Sequence, residues 1–132
     1  MKLAGASTRQ PTEFLDIYPT LCDLGGLALP GHLEGKSFAR LLDDPSASHR
    51  KAACSEMMRR GRLGRSIRNR DFRYTEWRNK QKQIVARELY DHRNDRKNGY
   101  LETENVVEHK EFAEVKERLS EQLHQLVPHN KK

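Results

Sequence analysis

The sequence predicts an α+β fold: a small antiparallel β-meander of three to four strands packed against a C-terminal helix, with a further helix before it. Three observations predict this. Phe72 to Arg78 alternates, with Phe72, Tyr74 and Glu76 pointing one way and Arg73, Thr75 and Trp77 the other, as in a half-buried strand. Lys110 to Val127 carries Phe112, Val115, Leu119, Leu123 and Leu126 at intervals of three and four, the period of one helical face. Short turn-forming segments separate the strand candidates, which makes them hairpins.

Each element has its own warrant. Met1 to Pro11 is small and polar without a period and reads as a tail. Asp16 is placed to cap a helix over Ile17 to Leu24, with Pro19 in its first turn and Gly25 as its left-handed stop. Ile17, Leu21 and Leu24 share one face, and Cys22 reads as a small core residue. Leu27 to Pro45 is an extended connection with a helical turn near Ser37 to Leu42, capped by Ser37 and anchored by Phe38, Leu41 and Leu42. Asp43 and Asp44, before Pro45, read as a solvated turn. Strand candidates follow at Lys51–Glu56, Leu63–Arg68, Phe72–Arg78 and Ile84–Asp91. The stretch from Met57 to Arg62 is expected as a loop, Asn69-Arg70-Asp71 as a turn, and Asn79 to Gln83 as the second hairpin loop. Arg93 to Glu104 is polar and irregular. Glu114 and Arg118 form a favourable pair on the last helix, which Pro128 ends.

Composition narrows the function. With 132 residues, 35% of them hydrophobic and 33% charged, the chain suits one domain with a modest core, and part of its apolar surface is expected to pack against something missing. The net charge is +6. Arg50 to Lys97 holds sixteen Lys and Arg against six Asp and Glu, an excess of ten that attracts sulfate or phosphate. Cys22 and Cys54 form no C-x-x-C pair, the six histidines have no zinc spacing and read as surface residues, and there is no Gly-rich phosphate loop. No apolar run is long enough to span a membrane, and the N-terminus lacks the hydrophobic region of a signal peptide.

Five blocks in order resemble the C-terminal region of the sulfatase family. They are Thr12 to Leu21, Leu33 to Phe38 with Leu41 and Leu42, Gly64 to Arg68, Phe72 to Trp77, and Glu88 to His92. Ser66-Ile67-Arg68 and Arg73-Tyr74-Thr75-Glu76-Trp77 point to the iduronate-2-sulfatase-like branch. The chain departs from the family at Asp95-Arg96, where Asp-Pro is usual, and it matches only loosely over Glu102 to Val106. The resemblance implies a tail over 1–11, a helix and connector from the end of the large domain over 12–45, and the C-terminal subdomain over 46–132. It implies the missing large domain as partner, a sulfated glycan as substrate, and a family that is often periplasmic, secreted or lysosomal.

The resemblance also implies a chemistry that this chain does not carry. Sulfatases use a formylglycine made from a C/S-x-P-x-R motif, together with a bound calcium. The residues two before the prolines are Arg9, Ile17, Ala28, Asp43 and Leu126, so the nucleophile is absent and no calcium cage is readable. Both are expected upstream, and the chain alone is expected to be inactive. What remains is substrate recognition. Arg59, Arg60, Arg62 and Arg65 are the candidate sulfate- or uronate-binding residues, because a guanidinium fork binds such groups bidentately. Arg68 is expected to pair structurally, with Glu76 as partner, and Trp77 to pack under the helix or stack on a sugar. The alternative is a stand-alone basic module binding nucleic acid or sulfated glycans. Glu108, Glu111, Glu114, Glu117 and Glu121 on the last helix argue against nucleic acid.

Overall fold

The structure is a computed structural model that describes residues 5–94 and 101–127. The chain forms two compact units, Met1–Ala53 and Cys54–Lys132. The expected stop at Pro128, the Asp95-Arg96 departure and His129 lie outside the described residues.

In the first unit a 3-10 turn, Phe14–Asp16, runs into helix α1, Ile17–Leu24, and a short helix α2 spans Ala39–Asp43. Asp16 does not cap α1 as expected. Its carboxylate turns back to accept the Glu13 N–H, because Asp16 ends a preceding helical turn rather than opening the helix. The left-handed residue that stops α1 is Gly26, with φ +64°, and not Gly25, with φ −84°. The Leu27 N–H then reaches the Cys22 carbonyl, closing a Schellman-type end. Ser37 is not the N-cap of α2: Phe38 holds that position without a side-chain cap, and the Ser37 hydroxyl, one residue earlier, accepts the Ala39 N–H. Leu41 is buried.

The second unit is a four-stranded antiparallel sheet in the order β1-β2-β3-β4, with β1 Ala53–Arg59, β2 Arg62–Arg68, β3 Phe72–Arg78 and β4 Ile84–Asp91. Helix α3, Ala113–Leu126, follows a 3-10 turn at Lys110–Phe112 and packs on β2 and β3. The expected loop over Met57 to Arg62 is instead strand on both sides of a two-residue turn, Arg60-Gly61. Both turn residues take positive φ, 49° and 75°, which is the twist a tight hairpin needs. At the next turn the Asn69 side-chain oxygen accepts the Asp71 and Phe72 N–H groups, and at the last the Asn79 oxygen accepts the Gln83 N–H.

Register assigns the faces. The rows Arg65–Glu76–Arg87 and Ile67–Tyr74–Leu89 lie on the helix side, where Ile67, Tyr74, Leu89, Leu119 and Leu123 form the core. The rows Gly64–Trp77–Ala86 and Ser66–Thr75–Glu88 lie on the other side. Two expectations fail here. Arg68 faces Arg73 and lies on the sheet face opposite Glu76, so the two cannot pair. Trp77 does not pack under α3; its indole N–H donates to Glu88 on the far face, at 2.9 Å. The helix stripe also ends early, at Leu123, because Leu126 is exposed. The open edge of β4 is covered: Asn105 caps the Leu89 N–H and the Arg87 carbonyl, and the Val106 N–H donates to Leu89. Arg93, paired with Asp91, sits over the rings of Phe72 and Phe112 and holds the turn before α3.

Gly64 explains the position of the indole. A Cβ there would lie 2.7 Å from the Trp77 ring, so the absent side chain makes the seat for it. Gly64→Ala is expected to cost about 1–3 kcal/mol. It is also expected to shift the emission of Trp77, the single tryptophan. Urea unfolding followed by tryptophan fluorescence measures both effects. An unchanged midpoint and spectrum would show that the ring does not lie on Gly64.

Candidate functional site

The β1–β2 hairpin tip gathers three of the four candidate arginines. Arg59 ends β1, Arg60 occupies the turn and Arg62 opens β2, so the tight turn crowds three guanidinium groups into one exposed corner. None of the three has an ion pair among the described residues. Like charges held together without a carboxylate create a positive field, and each guanidinium keeps its donors for a sulfate or carboxylate. Met57 and Met58, exposed just before the tip, add adaptable apolar surface beside the charge.

Arg65 is placed differently. Its side chain is only 14% exposed, its Nε lies 2.5 Å from Glu56, and it donates to the Val127 carbonyl. It ties β2 to β1 and to the end of α3. Several of the other arginines are likewise engaged. Arg73 pairs with Glu102, Arg78 with Glu76, and Arg93 with Asp91. Part of the +6 charge is therefore held in ion pairs, while the tip keeps three arginines open side by side in the chain.

Two buried carboxylates went unrecognised in the sequence as organising groups. Glu76 is 1% exposed and accepts from Tyr74, Arg78, Ser120 and His124. Burial alone would raise its pKa; the hydrogen bonds from His124, Ser120, Arg78 and Tyr74 outweigh burial and hold it at about 2. Tyr74, buried beside that charge, is pushed up to about 12. The signal was present in the sequence: a carboxylate on the same strand face as Phe72 and Tyr74 must find partners or stay protonated. In the first unit Asp16 is fully buried and accepts from the Glu13 and Lys36 N–H groups, from His49 and from Arg50. Burial again opposes ionisation, and the Arg50, backbone and His49 contacts hold the carboxyl well below the usual range. No sequence period could link Asp16 to Arg50.

These groups do not assemble a reaction centre. Ser120 and His124 bond opposite oxygens of Glu76, so the serine proton goes to the carboxylate and not to an imidazole. The His49 side chain is 6% exposed and His92 is buried, and they hydrogen-bond to Asp16 and Glu102, which corrects their reading as surface residues. Among the described residues no group of three or more His, Cys, Asp or Glu could hold a metal ion. A cavity of about 240 Å³ beside β4 is lined by Asp91, Glu104 and Glu111 together with His109, Tyr90 and Phe112. Among the described residues no helix is long and apolar enough to cross a membrane. Cys22 and Cys54 form no disulfide.

The comparisons agree with this architecture. Residues 3–129 match the family N-sulphoglucosamine sulphohydrolase, C-terminal. Among solved structures the chain is similar to BT4656, captured with its substrate D-glucosamine-2-N,6-O-disulfate, at 24% identity and TM-score 0.68. It is similar to BT1596, a 2-O GAG sulfatase, at 26% identity and TM-score 0.65. Each likeness covers 84% of this chain and 23% of the other, so the chain spans about a quarter of those proteins. No curated protein matches the sequence.

The Glu76 contacts make a pH prediction. With its carboxyl held at about 2 against an ordinary 4.5, the unfolded chain binds that proton first as the pH falls. The stabilisation is therefore complete above about pH 4.5 and is lost as the pH drops towards about 2. Glu76→Gln is expected to cost about 1–3 kcal/mol at neutral pH. It is also expected to flatten the acid limb of stability. Urea melts from pH 7 down to pH 2 test this, and an unchanged acid slope in the variant would refute it.

Proposed function

This chain belongs to the N-sulphoglucosamine sulphohydrolase C-terminal family, and we propose that it is the C-terminal subdomain of a sulfatase acting on sulfated glycans. In this role it supplies architecture and one basic rim of a substrate cleft. The formylglycine nucleophile and the calcium belong to a catalytic large domain, and the chain alone turns nothing over. The observation that carries the proposal is the hairpin tip, where Arg59, Arg60 and Arg62 are exposed and unpaired in a unit whose other arginines are mostly engaged. A sulfate ester and a uronate carboxylate, each carrying one negative charge, both suit such a cluster. Arg65 supports the tip by fixing β2 against Glu56.

Within the family we place the chain on the iduronate-2-sulfatase-like branch. The Ser66-Ile67-Arg68 and Arg73 to Trp77 pieces support this, and so does the likeness to a 2-O GAG sulfatase. On this placement the preferred ligand carries a 2-O-sulfated uronate.

The test is binding of short sulfated oligosaccharides by the chain, followed by titration calorimetry at physiological salt. The variant Arg59→Ala/Arg60→Ala/Arg62→Ala is expected to weaken binding by about tenfold or more, since each lost charge-assisted contact is worth about 1.5–3 kcal/mol before screening. Arg65→Ala is expected to lower stability more than affinity. Binding that survives the triple change, or that duplex DNA displaces equally well, would overturn the proposal. So would hydrolysis of an aryl sulfate by the pure chain.

A further inference from the structure

We propose that Trp77 is a stacking plate for one sugar ring of a sulfated glycan whose adjoining anionic group lies on Arg59 and Arg62, an inference that rests on the sulfatase reading. The setting of the indole carries it. A Cβ on Gly64 would lie 2.7 Å from Cζ3 of Trp77 and 2.9 Å from both of its ring neighbours, Cε3 and Cη2. A contact with the edge of the ring would leave the two outer atoms much farther away than the middle one. The nearly equal distances put a π-face, not an edge, on Gly64. One face of the indole is therefore laid down on β2 and the other points away from the sheet. Trp77 is accordingly half-buried. Ala86, opposite it on β4, is exposed and too short to cover the ring.

Register brings the hairpin arginines to the same face. The two-residue turn Arg60-Gly61 sets Arg59 opposite Arg62. The same register sets Glu56 opposite Arg65, which their ion pair fits, and Met57 opposite Gly64. Side chains alternate along each strand, so Arg59, Arg62, Met57 and Trp77 share the sheet face away from α3. Arg62 and Gly64 are two residues apart on one strand, about 6.8 Å along the sheet. The guanidinium row thus borders the indole row directly, close enough for two adjoining residues of one saccharide to meet both. Met57, 55% exposed, widens the apolar row on the β1 side.

Chemistry selects the occupant. A pyranose has an apolar face of C–H groups and a rim of hydroxyls, and the electron-rich face of an indole matches the first. The indole N–H donates to Glu88 at 2.9 Å, which holds the plate against rotation. That carboxylate also sets a negative charge at the edge of the plate. It turns a sulfate or uronate carboxylate away from Trp77 and towards Arg59 and Arg62, so the two rows sort a ligand into ring and anion. A single-stranded nucleic acid suits the face less well, because it needs successive plates for successive bases. The other aromatic residue on this face of β3 and β4, Tyr90, lies under the Arg73 guanidinium, 5.1 Å from its ring centre.

Trp77 is the single tryptophan, so its emission reports the plate directly. The test is acrylamide quenching of that emission in the 132-residue chain, beside calorimetry, with a heparin tetrasaccharide, its desulfated counterpart and oligo(dT) as probes. The sulfated tetrasaccharide is expected to shield Trp77, lowering the quenching constant about twofold or more. Trp77→Leu is expected to weaken its binding about threefold to tenfold, the scale of one aromatic face contact, and Trp77→Phe to restore most of the loss. Should W77L fail to fold, the quenching of the unaltered chain decides. Binding of the sulfated tetrasaccharide that leaves the quenching constant unchanged overturns the plate and leaves the arginine tip standing. Shielding that persists in Arg59→Ala/Arg62→Ala, and is equal with the desulfated tetrasaccharide, sinks the sulfatase reading while leaving a sugar plate. Stronger shielding by oligo(dT) overturns both in favour of nucleic acid, and so does the absence of any tetrasaccharide binding.

Discussion

A single ionised carboxylate organises the second unit. Glu76 lies in the central strand β3, on the face that meets α3, where no water can solvate it. An unpaired charge there would cost several kcal/mol in practice. The surrounding elements are therefore arranged to satisfy it: Tyr74 and Arg78 from the same strand, Ser120 and His124 from one face of α3. The apolar contacts of Leu119 and Leu123 bring the helix to the sheet. The carboxylate fixes its rotation and its register along the strand, because only one setting points both Ser120 and His124 at the same group.

The first unit uses the same device with different chain geometry. Asp16 gathers the Glu13 and Lys36 backbone N–H groups, His49 and Arg50, which come from segments with no common period. This unit is poor in buried apolar side chains, with Cys22, Leu41 and Ala47 inside and most of the large residues of α1 outside. A charge-assisted hub holds a connector that hydrophobic burial alone would leave loose. The apolar face this arrangement leaves outside agrees with a chain whose solved relatives are much longer.

The arginines show why net charge is a poor guide to a binding surface. The same residue type holds strands together at Arg65 and Arg78, stacks on aromatic rings at Arg93, and is left open at Arg59, Arg60 and Arg62. What separates these cases is whether a carboxylate lies on the same sheet face within reach. That is a matter of register, not of composition.

The sequence by itself determined the elements: β3 and β4 at their observed ends, the Asn turns between strands, and the core pair Leu119 and Leu123 of the last helix. These follow from period-two and period-3.6 patterning and from local turn chemistry, which act over a few residues. It also carried the likeness to sulfatase C-terminal regions that the family match bears out. Only the tertiary structure decided which carboxylates became hubs, that Trp77 lies on Gly64 away from α3, that Arg68 cannot reach Glu76, and that the stripe of α1 faces outward. Each of these depends on which residues meet across strands or across tens of positions. A one-residue change of register moves every side chain to the other face, and no local pattern fixes that choice until the sheet is assembled.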